Sequence, residues 1–447
     1  MQNYLIKNAT IINEGETFQG SVFIENGRIK KIHKGNISTE QIVKNYTIID
    51  AQGKFLIPGV IDVHVHFREP GLTHKADINS ESRAAVASGV TSFFEMPNTI
   101  PNAVTIDILE EKYKIASRNS FANYSFFLGA TNNNLEEILK ADTSKICGVK
   151  VFIGSSTGNL LVDDRSVLEK IFSLSKLPVA VHSEDEEIIN KNTVIYKSQF
   201  GENIPIQYHS KIRNNEACIR ATELAVTLAE QYNTRLHITH LSTADEVELL
   251  KKSNKKNISS EVCVPHLFFN DTDYEKLEGK IKINPSVKSI HDQKALLNAL
   301  SEDIIDIIST DHAPHTLEEK QNSYFKCPSG TPSIQHSLPA ILELYHNNTL
   351  SLEKIIEKMC HNPATLFNIE KRGFIRENYF ADLVILDLKA PWKVNESNIY
   401  HKCGWSVMED WTFKSKILKT FVNGNLVFDN GNFNEQARGS RITFNRT

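Results

Sequence analysis

The chain has 447 residues, 54 acidic and 50 basic, with a formal net charge of −4 and 40% hydrophobic side chains. That length calls for two domains or one large α/β unit with an addition, and a near-neutral charge without a basic half argues against nucleic acid or an anionic membrane as partner. Six scattered cysteines with no CxxC pair exclude a zinc ribbon and a disulfide framework; the opening MQNYLIKNATIINEGE has no apolar signal core, and no run nears the ~18 apolar residues of a membrane span, so a reducing, cytoplasmic location is expected.

Residues 1–57 alternate as short strands, YLIKNATII, GSVFIENGRIKKI and TIIDAQGKFLIPG, with Asn26-Gly27 marking a hairpin. The stretch 58–374 changes pattern. Apolar strand-like runs at 60–67, 91–96, 124–130, 148–153, 177–183, 235–242, 259–269 and 303–310 are separated by helical stretches. One of these, EACIRATELAVTLAEQYN, has apolar spacing near 3.6. About eight β–α alternations predict an α/β fold built on a TIM-like (β/α)8 barrel. An open doubly wound sheet would carry a glycine-rich phosphate loop after an early strand, and neither GxGxxG nor GxxxxGK[ST] occurs. Asn362-Pro363 reads as a helix N-cap followed by proline at the first helical position. Residues 375–447 return to strands, with ADLVILDL at 381–388 and a hairpin at Asn423-Gly424. Neither terminal set can bury a core alone. They are expected to pack together as one small β-sandwich domain, 1–57 with 375–447, beside the barrel.

Residues able to bind a metal fall at the ends of the predicted barrel strands. His64 and His66 end the first, Lys150 lies in the fourth, His182 ends the fifth, His240 ends the sixth, and Asp311 follows the eighth. In barrels of this class the site forms at those ends. Residues two apart on a strand share a face, so His64 and His66 can reach one cation, and imidazole suits zinc. Asp62 and Arg68 around this pair argue against two incidental histidines. His237 and His240 differ by three and face opposite sides of a regular strand; His240, nearer the mouth, is the ligand candidate, and His237 packs or supports. Other histidines, His209, His266, His361 and His401 among them, carry no comparable positional argument and read as surface or packing residues.

DVHVHFREP (62–70) and STDHAPHTLEEK (309–320) resemble the two signatures of the dihydroorotases, a branch of the cyclic amidohydrolases. MPN (96–98), GVKVF (148–152), VHSE (181–184), THLST (239–243) and INP (283–285) fall between them in that family's order. Ser309 stands where glycine or alanine is commoner. The resemblance implies a zinc enzyme that interconverts dihydroorotate and carbamoyl aspartate in pyrimidine synthesis, with a small-molecule substrate and a homodimeric state. It places His64, His66 and Asp311 on one zinc and His182 and His240 on a second, with an N-carboxylated Lys150 bridging them. It makes Asp311 the proton carrier and assigns the substrate carboxylate to Arg68, Asn98 and His315, with Asn284 at the ring's amide edge. The loop 316–338 is left without assigned contacts. Rival expectations are another cyclic amidohydrolase, an allantoinase or dihydropyrimidinase, and a non-catalytic partner of aspartate transcarbamoylase.

Overall fold

The computed structural model describes residues 2–35, 37, 45–154, 160–253 and 255–446; the parts of the terminal β unit at 1, 36, 38–44 and 447 lie outside the described residues. From the N-terminus run β1 (Tyr4–Asn13), β2 (Glu16–Glu25), β3 (Arg28–Lys34), β4 (Thr47–Asp50) and β5 (Phe55–Pro58). The parallel strands follow: β6 (Val60–Val65), β7 (Val90–Glu95), β8 (Asn123–Phe126), β9 (Leu128–Gly129), β10 (Val149–Gly154), β11 (Val179–Glu184), β12 (Leu236–Ile238), β13 (Ile258–Cys263) and β14 (Ile307–Ser309). Last come β15 (Leu383–Asp387), β16 (Trp392–Lys393), β17 (Thr412–Phe413), β18 (Lys416–Val422), β19 (Asn425–Asp429) and β20 (Asn432–Phe433).

The chain is an α/β protein. Strands β6-β7-β8 pair in parallel, as do β9 through β14 in sequence order. Only Phe127 separates β8 from β9, and its N–H donates to Glu95 O at 3.0 Å. At the other edge, Val65 bridges His312 in parallel and His66 N–H donates to His312 O at 2.7 Å. These strands are covered on both faces, which is why VIDVHV and VTSFFE are buried at every residue.

The terminal strands form one nine-stranded sheet in the order β20-β19-β18-β15-β5-β1-β2-β3, with β4 on β1. The two chain ends meet where β5 and β15 pair antiparallel, Leu56 opposite Ile385. Period-two alternation divides the sheet's side chains between two cores. Ile11, Leu56, Leu383, Ile385 and Phe421 enter a small core of their own. Their neighbours Ile12, Ile57, Val384, Leu386 and Val422 join the large core of the parallel strands. Both expected hairpins form, with left-handed Asn-Gly pairs at φ 49° and 79° (Asn26, Gly27) and 49° and 75° (Asn423, Gly424).

Several sequence readings are corrected. The run 259–269 is not one strand: β13 stops at Cys263 and Val264–Phe268 is helical, with Pro265 in its first turn. Asn362 is not an N-cap. It has helical φ −63°, inside a continuous Leu352–Leu366 helical stretch with a wide turn at Glu357–His361, and its side chain donates to Asp306 O at 2.8 Å. His66 and Arg68 lie past the end of the first parallel strand, because β6 ends at Val65 and Arg68 turns into the left-handed region at φ 69°. His240 likewise lies past the end of β12, at φ 39°.

Candidate metal and substrate site

His64, His66, Arg68, Asn98, Lys150, His182, His240, Asn284, Asp311 and His315 all line one cavity of about 300 Å³ at the C-terminal ends of the parallel strands. Every site residue singled out from the sequence is therefore brought together. Arg68, His240 and Asp311 (φ 45°) hold left-handed backbone that costs a non-glycine residue energy, a pattern common where side chains are aimed at a ligand.

One wall gathers metal-binding atoms. His64 Nε2 and His66 Nε2 lie 3.3 and 3.1 Å from Asp311 Oδ1, and the three residues' ligand atoms fall within 4.8 Å of one another. Burial alone would raise the Asp311 carboxyl, but His64, His66 and Lys150 outweigh it and bring it down to about 2. His182 Nδ1 and His240 Nε2 face each other at 2.9 Å. Burial keeps both of these rings below the usual imidazole range. The His64 and His240 rings, 5.3 Å apart, join the two groups. Lys150 is 1% exposed; its Nζ donates to Thr239 Oγ1 at 3.0 Å, and burial lowers its pKa to about 8.

Carboxylates and an amide orient these rings from behind, and sequence reasoning missed the carboxylates. Glu261, in β13, accepts from His64 Nδ1 through one oxygen and faces His237 Nε2 at 3.2 Å through the other. His237 is thus a supporting residue, as its register suggested. Glu184 lies 3.1 Å from His182 Nε2 and pairs with Arg213, itself a cavity residue. Asn98 Oδ1 lies 2.7 Å from His66 Nδ1, which leaves the Asn98 amide hydrogens for the cavity. Glu81, at zero exposure, accepts from His312 Nε2 at 2.9 Å and His401 Nδ1 at 2.8 Å, pinning the residue after Asp311. His401 was read as bland and is not. His209 is not bland either: its Nε2 meets Asn284 Oδ1 at 3.2 Å and Ile283 O at 2.9 Å. The signal that could have found Glu261 and Glu81 is a carboxylate inside an apolar strand run or on the buried face of a helix, positions where such groups occur only with partners.

The opposite wall is cationic. Arg68 is 7% exposed, donates through Nε to Pro314 O at 3.1 Å, and places Nη2 3.0 Å from His315 Nε2. Among the described residues it forms no ion pair. Two acidic residues near it in sequence are engaged elsewhere: Glu69 caps Ile78 N–H and Glu81 serves the histidines. Ser329 Oγ donates to Asn284 Oδ1 at 3.0 Å, so Ser329 and His209 together occupy that oxygen and turn the amide nitrogen away from them. Pro328, Ser329 and Gly330 complete the wall. The ammonium of Lys320 holds this segment through Lys282 O, Pro328 O and Gly330 O at 2.7–3.0 Å.

Comparison with known proteins agrees with this geometry. A family model described as "Amidohydrolase family" matches residues 55–427. The chain is 34% identical to the dihydroorotase of Pyrococcus furiosus over 95% of its own length and 93% of that protein's. It is 35% identical to the dihydroorotase of Carboxydothermus hydrogenoformans, covering 87% and 94%. Among solved structures it resembles the L-hydantoinase (dihydropyrimidinase) from Arthrobacter aurescens, with TM-score 0.92, 27% identity and coverage of 99% and 100%. Among the described residues no helix is long and apolar enough to cross a membrane. The chain belongs to the amidohydrolase family and, within it, to the dihydroorotases, hydrolases that act on cyclic amides.

Proposed function

We propose that the protein reversibly hydrolyses the cyclic amide of (S)-dihydroorotate to N-carbamoyl-L-aspartate, the step whose ring-closing direction serves pyrimidine synthesis. The observation that carries this reading is Arg68: a buried guanidinium with no carboxylate partner among the described residues, opening into the same cavity as the histidine wall. Burying an unpaired charge is costly, so such a group points to an anionic ligand. Dihydroorotate carries a carboxylate beside its ring. A dihydropyrimidinase ring does not, although the fold likeness to the hydantoinase keeps that reading as the alternative.

The residues fit two zinc ions. Two imidazole nitrogens 2.9 Å apart need a proton or a cation on their lone pairs, and His182 and His240, held in their neutral range by burial, suit a cation. His64, His66 and Asp311 suit a second, and zinc favours such imidazole-rich sets. A free ammonium at Lys150 would repel both ions. With a pKa near 8, its amine can add to carbon dioxide, releasing a proton and leaving an anionic carbamate that would help hold both ions. When bound, the zinc ions polarise the amide carbonyl and make water a nucleophile near neutral pH. Asp311, ionised at neutral pH, takes the proton of the attacking water and returns it to the leaving ring nitrogen. Arg68 and the Asn98 amide hydrogens hold the substrate carboxylate, His315 adds the Nε2–H that it shares with Ser329 O, and the Asn284 amide meets the ring edge. The framework of this reading is a closed (β/α)8 barrel at 58–374, with a β-sandwich made by the nine-stranded sheet folding over its own core, 1–57 with 375–447.

Ring closure tests the proposal. The zinc-loaded protein is expected to convert carbamoyl aspartate to dihydroorotate and to leave 3-ureidopropionate, which lacks the second carboxylate, unconverted. Equal closure of both would remove the role of Arg68.

A further inference from the structure

Lys75 stands between β6 and the helix Ile78–Ala87, with a side chain 12% exposed. Its Nζ lies 3.0 Å from His315 Nδ1 and 2.9 Å from Glu319 Oε1. Across the ring, His315 Nε2 lies 3.0 Å from Ser329 O and 3.0 Å from Arg68 Nη2. Burial, with Arg68, Lys320 and Lys75 nearby, keeps this imidazole neutral.

A neutral imidazole has one N–H and one lone pair. An ammonium offers only hydrogens and a carbonyl only lone pairs. Lys75 therefore asks for the lone pair on Nδ1, and Ser329 O asks for the hydrogen on Nε2. One tautomer meets both. The opposite tautomer would give Arg68 an acceptor and turn Nδ1–H toward Glu319 Oε2, but that oxygen is 3.6 Å away, beyond hydrogen-bond reach, while Nδ1–H would stand against the ammonium and an Nε2 lone pair against the carbonyl. In the favoured tautomer Arg68 Nη2 faces an N–H and receives no acceptor from the ring.

We propose that Lys75 is a specificity-determining residue that acts through His315: by holding the ring's lone pair on Nδ1, it leaves a guanidinium hydrogen of Arg68 unmatched inside the protein, to be met by the carboxylate of the ring substrate. This role rests on the dihydroorotate reading. Glu319 keeps the ammonium in place, and its own carboxylate caps Thr316 N–H at 3.0 Å. Two segments far apart in sequence, 68–75 and 315–329, thus set the orientation of one proton.

Nitrogen-15 spectra of histidine-labelled, zinc-loaded protein test this, with His315 assigned by difference against His315→Gln. The expected wild-type signal is an Nε2–H tautomer. In Lys75→Met the proton is expected to shift toward Nδ1 and the KM for dihydroorotate to rise about tenfold, the worth of one charge-assisted hydrogen bond, with kcat within about twofold. Lys75→Arg restores the donor and is expected to stay near wild type. An Nδ1–H tautomer in the wild type, or an unchanged KM in Lys75→Met with native zinc content, overturns the proposal. A wild type that turns over no dihydroorotate removes the substrate reading, and this role with it, whatever the tautomer.

Discussion

Glu261 holds His64 with one carboxylate oxygen and faces His237 with the other. Burial pushes the Glu261 carboxyl up, yet His64 and His237 more than offset this and hold it well below the usual carboxylate range. In Glu261→Gln the amide supplies one acceptor oxygen where two ring hydrogens need one each. A buried donor is left unmatched, at about 1–3 kcal/mol, and His64 loses its orientation. Zinc retention after dialysis against a chelator is expected to fall about 10–100-fold, the usual cost of removing a partner behind a ligating histidine. Native retention in this variant would reduce Glu261 to a packing role.

Arg68→Met removes the guanidinium from the cationic wall without touching the histidine wall. The KM for dihydroorotate is expected to rise about 10–100-fold with zinc content unchanged, since charge-assisted hydrogen bonds contribute about 1.5–3 kcal/mol. An unchanged KM would sink the carboxylate assignment.

Lys150→Ala separates the proposed bridge from the proposed ligands. The variant is expected to lose activity and hold less zinc, and a short carboxylic acid added to the buffer should recover part of the rate. Two zincs and full rate without the additive would take Lys150 out of the site.

Gly330 sits at φ 136°, and a Cβ there would meet Ala313 O at 2.4 Å and His315 Cδ2 at 3.1 Å. Gly330→Ala must shift either the backbone or the His315 ring. The expected result is a raised KM with kcat and zinc content near wild type; kinetics identical to wild type would show that the wall can give way.

Acid should destabilise the fold through buried histidines outside the proposed ligand set. Burial lowers His336 to about 3 and His266 to about 4. Below pH 6.5 the unfolded chain binds protons at these positions and the folded chain does not, so stability is lost as pH falls from 6.5 toward 4. The slope is about 1.4 kcal/mol per pH unit for each fully uptaken proton. His336→Gln should flatten the dependence of the urea midpoint over that window relative to wild type. Parallel curves for the two proteins would contradict the shift.

The residues of the histidine and cationic walls were legible because strand ends and local motifs carry them: His64-x-His66, Lys150 and Asp311 announce themselves by chemistry at a defined place in a β–α unit. Their supports were not. Lys75 meets His315 across 240 positions and His401 meets Glu81 across 320, so no window of sequence contains either pair. The helix at Val264–Phe268 was hidden because VPHLF is as apolar as the strand before it, and only Pro265 marks the change. The terminal unit was readable as strands, but which residues serve which core appears only once alternate side chains of β5, β15 and β18 are seen to divide between two clusters.

The most direct test of the central claim is the rate of hydrolysis of L-dihydroorotate by the zinc-loaded protein, measured beside allantoin and dihydrouracil under the same conditions. Preference for dihydroorotate by at least about tenfold, the value of one carboxylate contact, is the predicted result. Equal or greater turnover of a ring without the carboxylate would keep the fold and the metal wall and contradict the roles of Arg68, Asn98 and His315.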